Sequence, residues 1–129
     1  MEILVVTSKI KKYIKEQANL STSSNFAEEL SKFVAKTCDE AIENTKNAGR
    51  KTVMGKDFIF NDENAQVTDV LVVASKVKKY IKEKADFNTS ANCAEQLTLA
   101  VQDLCKKAIQ NAIDQKRKTV MDRDLQGLY

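Results

Sequence analysis

Arg50-Lys51-Thr52-Val53-Met54 returns unchanged 67 residues later, as Arg117-Lys118-Thr119-Val120-Met121. The same offset aligns everything around it without a gap. Residues 3–58 lie over 70–125, with roughly half the positions identical. Self-similarity on this scale makes the chain two copies of one unit. Each copy has about 56 residues, a size at which a hydrophobic core is marginal, whereas the 129-residue whole suits one domain. Two copies sharing one core is the more stable arrangement.

The formal charge of +3 hides where the charge sits. The first copy holds 10 Lys/Arg against 7 Asp/Glu, and the second 11 against 7. Glu2, Asp62, Glu63 and Asp69 lie outside the copies and bring the total down, so the repeated units are more basic than the whole. The three cysteines, Cys38, Cys93 and Cys105, show no paired spacing. That speaks against a disulfide framework or a zinc site and for a reducing compartment. With no His in the chain and two of the cysteines on an apolar stripe, no nucleophile–base pair is visible. The expectation is a protein that is not an enzyme and uses no metal or cofactor. Cys38 and Cys105 read as small core residues, and a facing, oxidisable pair is the lesser alternative. After Glu2 only four apolar residues follow in a row, too few for a signal segment or a membrane span, so the chain is expected to be soluble and cytoplasmic.

In chain order, residues 3–6 and 70–73 are β-branched or apolar and read as extended lead-ins. Thr7 or Ser8 is the expected N-cap of a helix over about 9–18, with Ile10, Tyr13, Ile14 and Ala18 as its apolar stripe. Lys9, Lys11, Lys12 and Lys15 fill the rest, and they recur as Lys76, Lys78, Lys79 and Lys82 although about half of the other positions have changed. The ordinary reading of such lysines is a solvated face. A polar loop over 19–24, with cap candidates Ser21, Thr22 and Ser23, feeds a helix over about 24–47. Its stripe is Phe26, Leu30, Phe33, Val34, Thr37, Cys38, Ala41, Ile42 and Thr45. The second copy repeats it from Cys93 through Leu97, Leu104 and Cys105 to Ala112 and Ile113. A helix so long and so apolar needs a partner of equal length, which the other copy supplies. Gly49 is a natural left-handed stop, but its counterpart is Lys116, so the second long helix is expected to end differently. The Arg-Lys-Thr-Val run reads as a short connection with a possible strand of two or three residues. After it, 55–60 is at most a short third helix, and 61–69 is an acidic linker.

Short helix, loop, long helix, loop, short helix is the order of the histone fold. Ala48-Gly49-Arg50-Lys51-Thr52-Val53, with Asp57 seven residues after Arg50, resembles the second loop and third helix of archaeal and bacterial histones. Arg117-Lys118-Thr119-Val120 with Asp124 matches again, without the Gly. The resemblance implies an all-α chain of two tandem histone folds, 1–60 and 70–129, joined by 61–69. They would pair head to tail as an intramolecular pseudodimer, a histone doublet. It also implies internal salt bridges Arg50–Asp57 and Arg117–Asp124. Phosphate contacts would come from Lys51, Thr52, Lys118 and Thr119, and from the first helices at 8–12 and 75–79. Because the third element is short in both copies, a bacterial-type doublet is expected rather than archaeal-style polymerisation.

The function so implied is non-sequence-specific binding of double-stranded DNA, with bending or compaction of the duplex in the nucleoid. Its candidate DNA-binding residues are Ser8, Lys9, Lys11, Lys12, Lys15, Arg50, Lys51 and Thr52 in the first copy. In the second they are Ser75, Lys76, Lys78, Lys79, Lys82, Lys116, Arg117, Lys118 and Thr119. Cations and helix N-termini hold phosphate, and the aromatics beside the lysines, Tyr13 and Tyr80, read as core edge rather than as base stackers. The rival reading is a histone-fold subunit that binds protein, using the acids Glu28, Glu29, Asp39, Glu40 and Glu43 of the long helix.

Overall fold

The computed structural model describes residues 3–58, 67 and 69–128. The first copy forms α1 (Thr7–Ala18), β1 (Ser21–Thr22), α2 (Phe26–Asn47), β2 (Thr52–Val53) and a 3-10 turn, Gly55–Asp57. The second repeats the order as α3 (Ala74–Ala85), β3 (Asn88–Thr89), α4 (Cys93–Asp114), β4 (Thr119–Val120) and a 3-10 turn, Asp122–Leu125. The expectation of an all-α chain thus gains four two-residue strands, and the third element is a single 3-10 turn. Most of the expected linker, and Ile59 and Phe60 of the expected third helix, lie outside the described residues.

The lead-ins determine how the first helices begin. Val5 bridges Val72 in antiparallel fashion; Val6 N–H donates to the Leu71 carbonyl (2.8 Å) and Val73 N–H to the Leu4 carbonyl (2.7 Å). The chain therefore stays extended up to Val6 and Val73, which occupy the cap positions without a side-chain cap bond. This corrects the expected caps: Thr7 is already helical, and Thr7 and Ser8 are both exposed. Leu4 N–H donates to the Ser31 hydroxyl (2.9 Å) and Leu71 N–H to the Thr98 hydroxyl (3.1 Å). Those two buried hydroxyls, one on each long helix, satisfy backbone groups that would otherwise be orphaned in the core.

Each long helix has 22 residues and buries eleven side chains. Neither half can cover that much surface, and the cover comes from both. The helices α2 and α4 touch each other; α2 also packs against α3 and the second 3-10 turn, and α4 against α1 and the first. Phe26, Leu30, Val34, Leu97 and Val101 are fully buried in one continuous core with Ile10, Ile14, Val77 and Ile81 of the first helices. The expected stripes need three corrections: Ala18 and Phe33 are only partly buried, and Ile113 is 47% exposed. Tyr13 and Tyr80 sit at the core edge, as expected. The starts of α2 and α4 are capped in position by Asn25 and Asn92, again without a side-chain bond, so the cap candidates Ser21, Thr22 and Ser23 do not serve.

The loops also pair across the halves. β1 runs parallel to β4, with Ser21 opposite Thr119, and β2 runs parallel to β3, with Thr52 opposite Asn88. Past α2, Gly49 takes φ +73° and Arg50 N–H returns to the Thr45 carbonyl (3.1 Å). Lys116 takes φ 58° and Arg117 N–H returns to the Ala112 carbonyl (2.9 Å). The second long helix thus stops as the first does, with a lysine bearing a left-handed strain of about 1 kcal/mol. Gly55 is closely approached by the other half, although its counterpart in the second copy is Asp122. A Cβ there would lie 2.6 Å from Asn92 Nδ2 and 2.9 Å from its Cγ, where the start of α4 meets the loop of the other half.

A core built from both halves predicts that residues 1–60 or 70–129, expressed alone, have no stable monomeric fold. Their helicity, followed by circular dichroism over a hundredfold dilution, should fall as the fragment is diluted, while that of the whole chain stays constant.

Candidate functional site

The Arg-Lys-Thr loops are braced from within. Arg50 forks onto Asp57: Nη1 donates to Oδ2 (2.9 Å) and Nη2 pairs with Oδ1, while Nη1 also donates to the Thr52 carbonyl (3.1 Å). Met54 N–H (2.7 Å) and the Thr45 hydroxyl (2.9 Å) donate to the same carboxylate. In the second half Arg117 pairs with Asp124 and donates to the Thr119 carbonyl (3.0 Å), and Met121 N–H donates to Asp124 (2.7 Å). Ala112 stands where Thr45 would be, so that hydroxyl is missing. Burial pushes both carboxyls up. The arginine fork, the backbone N–H and the arginine charge outweigh it and hold Asp57 and Asp124 below the ordinary carboxylate range; the Thr45 hydroxyl adds to this at Asp57. Arg50 and Arg117 are therefore committed to shaping the loop, which turns the side chains that follow them outward.

Around each braced loop the halves build a composite basic cluster. Lys11, Lys12 and Lys15 line a shallow depression of about 410 Å³ with Leu20, Ser21 and Thr22. Ser21 N–H donates to the Lys118 carbonyl (2.9 Å), which sets exposed Lys118 and half-buried Thr119 of the other half at its edge. The second cluster is the counterpart. Lys78, Lys79 and Lys82 line about 370 Å³ with Phe87, Asn88 and Thr89, and Asn88 N–H donates to the Lys51 carbonyl (3.0 Å), bringing in Lys51 and Thr52. Thr22 Oγ1 and Thr89 Oγ1 are buried and have no hydrogen-bond partner among the described residues. Neither threonine was singled out as a site residue from the sequence. The available signal was their identity at one repeat position directly after the lysine helix.

Ser8 and Ser75 are exposed in the first turns of α1 and α3, which the Val5–Val72 bridge joins. Neither first turn contains an acid, although those of α2 and α4 do. Two helix N-termini, with no acid of their own in the first turn, are therefore brought together. Lys9 is engaged there already: Nζ pairs with Asp69 (2.8 Å) and donates to the Val70 carbonyl (3.5 Å). Lys76 is half-buried, and Lys116 is exposed at the end of α4. Lys12 and Lys79 stand 4.0 Å from Glu16 and Glu83, and Lys82 pairs with Asp86 at 3.0 Å. Lys11, Lys15 and Lys78 form no ion pair among the described residues.

No protein-family model and no curated protein matches the sequence. Solved structures do. The histone from Methanopyrus kandleri superposes with a TM-score of 0.66 at 16% identity, over 94% of this chain and 90% of that one. The fold is histone-like. A protein from Thermus thermophilus superposes with a TM-score of 0.64 at 14% identity, over 94% of this chain and 91% of its own. With coverage this wide, a single chain of each neighbour matches both halves. At such low identity the likeness is one of fold.

The arrangement suits anion binding at several spaced points. Among the described residues no group of three or more Cys, Asp or Glu is placed to hold a metal ion, and no helix is long and apolar enough to cross a membrane. All three thiols are buried. Burial pushes Cys38 and Cys105 up to about 12, with the Asp39 charge and Cys93 adding to it at Cys38, so both remain protonated and unreactive. A thiol reagent at mildly alkaline pH should label none of the three until denaturant is added, which a colorimetric thiol assay would read. The Arg–Asp braces give a second expectation. A carboxyl whose folded pKa is depressed contributes stability above its unfolded value of about 3.9, and that contribution is lost as pH falls through the lower folded value. Asp57→Asn with Asp124→Asn should lower the urea midpoint at neutral pH and weaken the further loss of stability on acidification.

Proposed function

We propose that this chain is a histone doublet that binds double-stranded DNA without sequence preference and bends or compacts it. In this reading 1–60 and 70–129 are two histone folds, 61–69 joins them, and the two pair head to tail as an intramolecular pseudodimer. The crosswise strand ladders and the shared core support that pairing. The linker would make association of the halves unimolecular and raise their effective concentration.

The observation that carries the DNA reading is the composite cluster, made twice. Lysines from the first helix of one half meet the Lys-Thr pair from the braced loop of the other. Lys11, Lys12, Lys15, Lys118 and Thr119 would hold phosphate at one end; Lys78, Lys79, Lys82, Lys51 and Thr52 would hold it at the other. The joined N-termini of α1 and α3, with Ser8 and Ser75, form a third point, and each of these helices leads from it toward one cluster. Contacts of this kind position a duplex without reading its bases. Anchoring at three points along a protein surface favours bent DNA over straight. Thr22 and Thr89 join the candidate contacts, because a turn of either side chain toward a bound phosphate would give its buried, unpartnered hydroxyl an acceptor. Lys9, held by Asp69, contributes less than its three neighbours. Such a protein would act in the cytoplasm, on the nucleoid, with duplex DNA as its partner and no cofactor.

The test is a gel-shift titration on random-sequence duplex over a series of salt concentrations. Log K should fall linearly with log salt, at a slope of roughly −0.9 for each phosphate neutralised. Lys51→Glu with Lys118→Glu should abolish the shift while the thermal melt is retained. A flat salt dependence, or full binding by that variant, would leave protein recognition through the long-helix acids as the better reading.

A further inference from the structure

We propose that the two lysine clusters grip DNA unequally and that Asp86 sets the difference. This rests on the duplex-binding reading above. The clusters occupy equivalent repeat positions and carry equivalent lysine trios: Lys11, Lys12 and Lys15 in one, Lys78, Lys79 and Lys82 in the other. Around them, Leu20 and Ser21 give way to Phe87 and Asn88 without a change of charge, and Gln17 gives way to Lys84, whose Nζ lies over the Tyr80 ring, 5.7 Å from its centroid. The exchange that sets a charge against a trio lysine is at the helix end. At the end of α1 stands Asn19, and at the end of α3 stands Asp86. Both hold the left-handed conformation, with φ 56° and 59°, and both donate their backbone N–H four residues back, at 2.8 Å, to the carbonyls of Lys15 and Lys82. The backbones are thus alike while the side chains differ in charge.

Asp86 Oδ1 lies 3.0 Å from Lys82 Nζ, and Asn19 has no charge to offer Lys15. The other acids close to the trios are matched, since Glu16 and Glu83 each stand 4.0 Å from Lys12 and Lys79 and cancel in the comparison. Asp122, which replaces Gly55 beyond the loop strand, forms no ion pair with a cluster lysine among the described residues. A phosphate approaching Lys15 displaces only solvent and counterions. One approaching Lys82 must also displace Asp86, whose side chain is 88% exposed and stays nearby as a repelling charge. Breaking an exposed pair of this spacing costs about twofold in affinity, and the remaining repulsion adds to it.

The experiment uses the full chain and random-sequence duplex, with binding followed by fluorescence anisotropy at several salt concentrations. Lys15→Gln should flatten the slope of log K against log salt by about 0.9, and Lys82→Gln by less than half of that. Asp86→Asn should tighten binding by about two- to fivefold and steepen the slope, combining relief of the pair with relief of the repulsion. In that background Lys82→Gln should become as costly as Lys15→Gln. The reciprocal Asn19→Asp should weaken binding. Asn and Asp both accept the left-handed conformation, so the exchanges leave the helix ends intact. Equal losses from Lys15→Gln and Lys82→Gln in the unmodified chain would overturn the proposal, as would an Asp86→Asn variant with unchanged affinity and slope. Those results leave the duplex reading standing if charge reversal at Lys51 and Lys118 still abolishes binding; if it does not, the duplex reading itself falls.

Discussion

Two 22-residue helices with eleven buried side chains each are the constraint on which the rest depends. A stripe of that length cannot be covered by a 12-residue helix and a single 3-10 turn from the same half. Crossing the long helices covers part of it. The remainder is covered when each half lays its first helix and its last turn against the long helix of the other. Once that exchange is made, the loops at either end of the long helices are brought side by side, and the parallel pairs β1–β4 and β2–β3 follow. The surface features at the loops are consequences of burial in the interior.

The Arg–Asp fork converts that packing into a fixed loop shape. Asp57 and Asp124 are nearly inaccessible to solvent, and each accepts from a guanidinium and from a backbone N–H three residues before it. A buried carboxylate with so many donors keeps its charge and holds the turn. The arginine bends inward to reach it, and the next two residues take the exposed and half-exposed positions. A five-residue motif can therefore carry one structural side chain and two surface ones.

Much of this was legible in the residues. The 67-residue offset announced two units, and the 3.6-residue period of Leu30, Val34, Cys38, Ala41 and Ile42 announced a long helix in need of a partner. What the periodicity missed arises from contacts between halves. Val6 rather than Ser8 precedes α1 because a lead-in strand bonded to its twin runs directly into the helix, and no local cap signal records that. Ser31 and Thr98 interrupt an apolar stripe because a lead-in N–H needs an acceptor there. Ile113 keeps the stripe's period yet lies exposed, directly after buried Ala112 and one residue before the helix ends. Lys116 adopts a conformation associated with glycine because the hydrogen bonds that close the helix outweigh its modest strain. Among the candidate site residues, the lysines and the Lys-Thr pairs were visible as repeats. The carboxylates that engage Lys9 and Lys82 were not, since Asp69 reaches across the halves and Asp86 looks from sequence like any residue at a helix end.

Joining both halves in one polypeptide has a consequence for how the surface can change. In an assembly of two identical chains every mutation is made twice, and both ends of the molecule must change together. Here codons 19 and 86 are separate, as are 49 and 116, or 55 and 122, so drift or selection can act on one end while the other keeps its chemistry. The molecule is free to acquire a direction that a symmetric pair is denied.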